Sequence, residues 1–131
     1  VSAREALGAA LVAAVAGAVD VAVFDAPPVR GAMPHVQIEE PVLADWSAKD
    51  WAGHEARFAL LVRDGGERPV RVRALLALAG DAVLAMPAGL DGWRVVTMRR
   101  VRERVVRSGA GDSGAWLGAA EFVARLCPAG V

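Results

Sequence analysis

A single cysteine, Cys127, stands in this 131-residue chain. It rules out an internal disulfide and any cysteine-based metal cluster. Histidine is scarce as well. His35 and His54 are the only two, and neither an H-x-x-x-H nor an H-E-x-x-H spacing occurs. The paired-histidine zinc motifs are therefore missing. The glycine run at 109–114 has no Lys-Ser or Lys-Thr ending and opens no helix, so it reads as a hairpin turn and not as a phosphate loop. Net charge is missing too: 15 basic residues balance 15 acidic ones. A neutral chain has no global attraction for nucleic acid, so any such binding needs a local patch. Lys49 is the only lysine; every other basic side chain is arginine.

What is present suits one domain spanning 1–131, long enough to bury about two thirds of its unfolded surface without staples. Ser2-Ala3-Arg4-Glu5 reads as a capping box. Leu7, Leu11, Ala14, Val15 and Ala18 then share one helical face. The same apolar run invites comparison with a signal peptide, but Glu5 cancels the cationic start and Asp20 cuts the run short of the ~20 residues of a membrane span. Val21–Phe24 is a short β-type run, stopped by Pro27 and Pro28. Pro34–Glu39 alternates, with Val36 and Ile38 on one side and His35, Gln37 and Glu39 on the other. Glu40–Gly53 has no clean period and reads as one long loop, mobile until a partner orders it. Ala56, Phe58, Leu60 and Val62 line one face of a strand over His54–Arg63, and Asp64-Gly65-Gly66 turns the chain. Pro69 opens a second helix, with Val72, Leu75, Leu76, Ala79, Val83 and Met86 at helical spacing. Trp93–Val106 and Trp116–Leu126 are β-type runs around the glycine-rich turn, a hairpin pattern. The order α-β-β-β-α-β-β predicts an α+β domain: a mainly antiparallel sheet with two helices packed on one face.

Candidate chemistry is thin. Asp45, Asp50, His54 and Glu55 are a conceivable divalent-ion set, but a polar loop entering a strand explains them better. Cys127 reads as a half-buried strand-end residue. The four tryptophans suit core or interface anchoring more than base stacking. The segment MRRVRERVVR, 98–107, holds five arginines and one glutamate. As a strand it sets Arg100, Arg102 and Arg104 on one face, and Arg99, Val101, Glu103, Val105 and Arg107 on the other. It admits three readings: a solvated face, a subunit contact exploiting bidentate guanidinium pairing, or a nucleic-acid surface.

The succession of landmarks resembles the tail-completion, or tail-terminator, family of long-tailed phages and phage-like gene transfer agents. The landmarks are an Ala/Leu-rich first helix, VFDAPP at 23–28, MPHVQI at 33–38, DWSAKDWAGHEARFALLV at 45–62, a second helix and a closing hairpin. Arg63-Asp64-Gly65-Gly66 stands where that family commonly has a Trp-Ser-type pair. The resemblance covers nearly the whole chain. It implies a non-enzymatic virion protein without cofactors, assembled in the host cytoplasm. Such a protein forms a ring, typically a hexamer, that caps the tail tube at its head-proximal end. Its implied partners are copies of itself, the tube protein and the head-side connector or stopper, with DNA passing through without sequence-specific binding and no membrane involved. The alternatives are a head–tail stopper or adaptor of the same structural class or, from a different class, a small nucleic-acid-binding domain using the arginine-rich strand. Contacts between subunits would then draw on Arg99, Arg100, Arg102 and Arg104 from one copy. Asp45, Trp46, Asp50, Trp51 and Glu55 would meet them from the next.

Overall fold

The computed structural model describes residues 1–29, 31–108 and 115–131. Its elements run α1 (Ala3–Ala16), β1 (Ala22–Phe24), β2 (His35–Ile38), β3 (Val42–Asp45), β4 (His54–Asp64), α2 (Val70–Ala85), β5 (Trp93–Ser108) and β6 (Ala115–Pro128). The glycine-rich turn expected between β5 and β6 lies outside the described residues. The strands form one six-stranded sheet in the order β1-β2-β4-β6-β5, with β3 added beside β4. All pairings are antiparallel except β1 with β2. The expected α+β class stands, with a mixed and mostly antiparallel sheet.

Alternation decides which face is covered. Val36 and Ile38 sit opposite Val62 and Leu60. Leu60, Phe58 and Ala56 sit opposite Ala120, Phe122 and Ala124. Partners in register share a face, so these residues make one continuous apolar surface. Leu7, Leu11 and Val15 of α1 and Val72, Leu75, Leu76, Ala79 and Val83 of α2 join the same buried cluster, which puts both helices on that face. Ser2 caps α1 through its hydroxyl, which accepts from the Glu5 amide at 3.1 Å. Gly118 lets α2 approach: a methyl group there would stand 2.9 Å from Val72 Cγ1.

The sequence pattern is corrected in two places in this half. All four residues of β2 are buried, including His35 and Gln37, which alternation had placed outward. The His35 ring meets the Phe24 ring edge-on at 5.5 Å, and its Nδ1 lies 3.2 Å from the Ala32 carbonyl. Cys127 is fully buried, with 1% of its surface exposed.

At the turn into α2 the Asp64 side chain is buried and accepts from Arg71 Nε and Nη2, each at 2.7 Å, and from the Gly65 amide at 2.9 Å. The Arg71 hydrogen bond holds the Asp64 carboxyl below its ordinary pKa against the opposing cost of burial; the charge of Arg71 and the Gly65 amide add to it. Between the folded and unfolded values the unfolded chain binds more protons, so stability rises with pH there. The contribution is complete above about pH 4, the unfolded aspartate value, and is lost as pH falls through the lower folded value. Denaturant midpoints measured down that range should drop in the unaltered chain. In Asp64→Asn the drop should be shallower; an identical slope would show that Asp64 is not a source of acid sensitivity.

Candidate subunit-contact surfaces

The arginine strand is bulged, and this rearranges its side chains. The β5–β6 register slips between Val95 and Thr97 and again between Arg100 and Arg102. Each slip leaves one residue of β5, Val96 or Val101, without an opposite number. A bulge shifts the alternation by one. Beyond the second slip Arg102 and Arg104 stand opposite Glu121 and Ala119, on the helix-free face. Before it, Arg100 stands opposite Phe122, on the helix-covered face, and Arg99 opposite Val123. The expected row of Arg100, Arg102 and Arg104 is therefore split, and Arg99 joins Arg102 and Arg104 instead. Glu103, Val105 and Arg107 oppose Ala120, Gly118 and Trp116 on the helix side.

Arg100 works inside the fold. Its guanidinium donates to Asp81 of α2 at 2.8 Å and to Glu103 at 2.7 Å. It lies over the Phe122 ring, 5.9 Å from the centroid. Hydrogen bonding to Asp81, the charge of Glu103 and a second hydrogen bond to Glu103 raise its pKa further above the ordinary value, against desolvation. Gly80 makes the slot: a methyl group there would come within 3.1 Å of the guanidinium. A lone glycine inside a helical pattern, followed by an aspartate, was the available signal for this tie.

The acidic candidates are also spoken for in part. Glu55 bonds Arg125 at 3.2 Å and Arg57 at 3.5 Å within the same chain. With Thr97, Arg99 and Val123 these residues line an open cavity of about 370 Å³. So the structure gathers Glu55 and Arg99 on one surface of one copy, where the sequence reading had set them on opposite partners. Arg102 pairs with Glu121 across the β5–β6 register.

The expected loop at 40–53 is in part regular, hydrogen-bonded backbone. Val42–Asp45 forms β3 along β4, and the tip is closed by Trp46 N–H to Gly53 O and Ala48 N–H to Trp51 O, both at 3.0 Å. The Ser47 hydroxyl donates to Asp45 and accepts from the Gly53 amide. Trp46 and Trp51 pack together at 5.4 Å and are half-buried, with Arg125 over the Trp46 ring at 5.5 Å. Asp50 is exposed at the tip. Glycine is required at 53, because a methyl group there would lie 2.6 Å from the Leu126 carbonyl oxygen and 2.5 Å from the Trp51 ring. Gly53→Ala should cost about 1–3 kcal/mol, the range for overpacking. Chemical denaturation checks this; an unchanged midpoint would mean that the Trp hairpin yields freely.

The other two tryptophans are engaged too. Trp93 lies 5.4 Å from the His54 ring and donates through Nε1 to the Val1 carbonyl at 3.1 Å. Trp116 sits under Arg107 at 5.1 Å. Asp45, Asp50, His54 and Glu55 do not converge as a metal set, and no such group occurs among the described residues. Among those residues no helix is long and apolar enough to cross a membrane.

A family model described as Tail completion protein gp17 matches residues 5–121. Curated proteins give no match. Among solved structures, a chain of "Virion of native gene transfer agent (GTA) particle" is similar over 97% of this chain and 99% of that chain, with a TM-score of 0.78 and 25% identity.

Proposed function

The chain belongs to the tail completion protein gp17 family, and on that premise we propose that it is a structural component of a phage-like tail. It forms a ring, six copies in the family pattern, that closes the head-proximal end of the tail tube and joins it to the head-side connector. DNA crosses the ring without sequence-specific contact. The observation that carries this reading is the near-complete, two-way likeness to a chain of a gene transfer agent virion. Arg100 tied into the fold and Arg102 paired with Glu121 fit a scaffold better than a nucleic-acid reader.

Imaging of purified tails tests it. A ring of this chain should appear at the head-proximal end, and cells lacking the chain should accumulate heads and tails that do not join. A single copy per tail, or its presence on the head side alone, would replace the ring cap with a stopper or adaptor role.

A further inference from the structure

β5 forms one edge of the sheet and β1 the other. On the β5 edge Arg94, Arg99, Arg102, Arg104 and Arg107 are exposed, and Glu103 is the only carboxylate in the strand. Arg99 and Arg104 have no ion-pair partner among the described residues. Between the charges stand two valines that the bulges turn out of register, Val96 at 40% and Val101 at 48% exposure. Bulges re-aim side chains, and here both place a β-branched apolar group in solvent. A long edge strand also needs protection from backbone pairing, which arginines and bulges provide. Any contact made by this edge is therefore made through side chains.

The complement lies elsewhere on the surface. A groove of about 570 Å³ runs between α1 and the end of β2. Gly8, Ala9 and Val12 form its apolar floor, and Glu5, Asp25 and Glu39 its rim. Arg4, the one cation among the groove's described lining residues, is already bound to Glu40 at 2.7 Å. The groove thus brings three carboxylates without an ion-pair partner among the described residues to a surface of small apolar groups.

We propose that the β5 edge of one copy seats in the α1–β2 groove of the next. Val101 rests on the floor, and Arg99 and Arg104 meet the carboxylates of the rim. This rests on the ring reading and supplies its two surfaces. The patches differ, so the contact is head-to-tail and repeats from copy to copy, as ring closure requires. A phosphate backbone matches the arginines but has no counterpart for two exposed valines. That favours a second copy of this chain as the occupant.

Two experiments on the full chain in assembled particles test the contact. The first pairs Ala9→Cys with Val101→Cys and oxidises the particles. A ladder of disulfide-linked multimers ending at the ring size is expected, and neither single variant should give one, since Cys127 is buried. The second reverses charge: Arg99→Glu with Arg104→Glu, or Asp25→Arg with Glu39→Arg. Like charges across a contact are repulsive, so each pair alone should lose rings from tail ends, and all four changes together should restore them. A chain that had merely failed to fold could not be rescued in this way. Failure of the combined variant to restore rings overturns the proposal. So do normal rings in every charge variant without a cross-link. Normal rings with lost retention of short duplex DNA overturn it in favour of a nucleic-acid surface. Tails of the unaltered chain without any ring would sink the ring reading as well, which separates the two failures.

Discussion

Phe122→Ala is expected to lower the unfolding free energy of the isolated chain by about 3–5 kcal/mol, the range for truncating a buried phenylalanine. Only 1% of Phe122 is exposed, and it is among the largest fully buried side chains. It sits in the middle of β6, opposite Phe58 on one side and Arg100 on the other. The two phenyl rings stack at 5.3 Å with planes 13° apart. Truncation would leave Phe58 without its neighbour and Arg100 without the ring it lies over. Total stabilities of such domains are about 5–15 kcal/mol, so the variant should be near the limit of folding. Urea titration at constant slope measures the loss. A change below about 1 kcal/mol would show that the helices collapse into the space, and that this stack is not the centre of the core. Phe122→Leu keeps most of the volume and should fall between.

That core was legible because its residues obey simple periods. Ala56, Phe58, Leu60 and Val62 alternate, Leu7, Leu11 and Val15 keep helical spacing, and each set turned out buried. The capping box at Ser2 was readable for the same reason: it is local. Three features were not readable, each because a non-local contact overrides the local pattern. β3 is four residues long and gains its order from pairing with His54–Arg57 of β4. β2 is buried on both faces, with Phe24 of the parallel strand against His35. The bulges of β5 depend on the register of β6, and they decide which arginine faces where.

The last point changes what the candidate site means. Strict alternation made Arg100, Arg102 and Arg104 equivalent. With the bulge in place, Arg100 is an internal tie between β5 and α2, and the other two are surface groups. Of the acidic candidates, Glu55 has its partners at home in Arg125 and Arg57. Glu5, Asp25 and Glu39 sit apart in sequence and come to one groove only when α1 folds beside the end of β2, so no local pattern could have selected them.

The three arginines should therefore separate by experiment. Arg100→Gln is expected to destabilise the isolated chain by about 1–2 kcal/mol. Hydrogen bonds to charged groups contribute about 1.5–3 kcal/mol. The figure here is discounted because Asp81 is 75% exposed and water can replace its partner. Arg102→Gln with Arg104→Gln should stay within about 0.5 kcal/mol of the unaltered chain, as surface changes usually do. Arg102 and its partner Glu121 are 66% and 46% exposed, so that pair adds little to the fold. Assembly should reverse the ranking. An arginine removed from a desolvated interfacial pair can cost about 2–5 kcal/mol. The variant at 102 and 104 should thus fold normally yet lose properly ended tails with heads attached. Arg100→Gln should still support them at temperatures where it remains folded. Thermal unfolding of the purified chains and counts of joined particles decide between the two roles. Early unfolding of the 102 and 104 variant would place those arginines in the fold. Normal unfolding with normal particles would leave them as solvated groups, with Arg100 the arginine of the three that serves the fold.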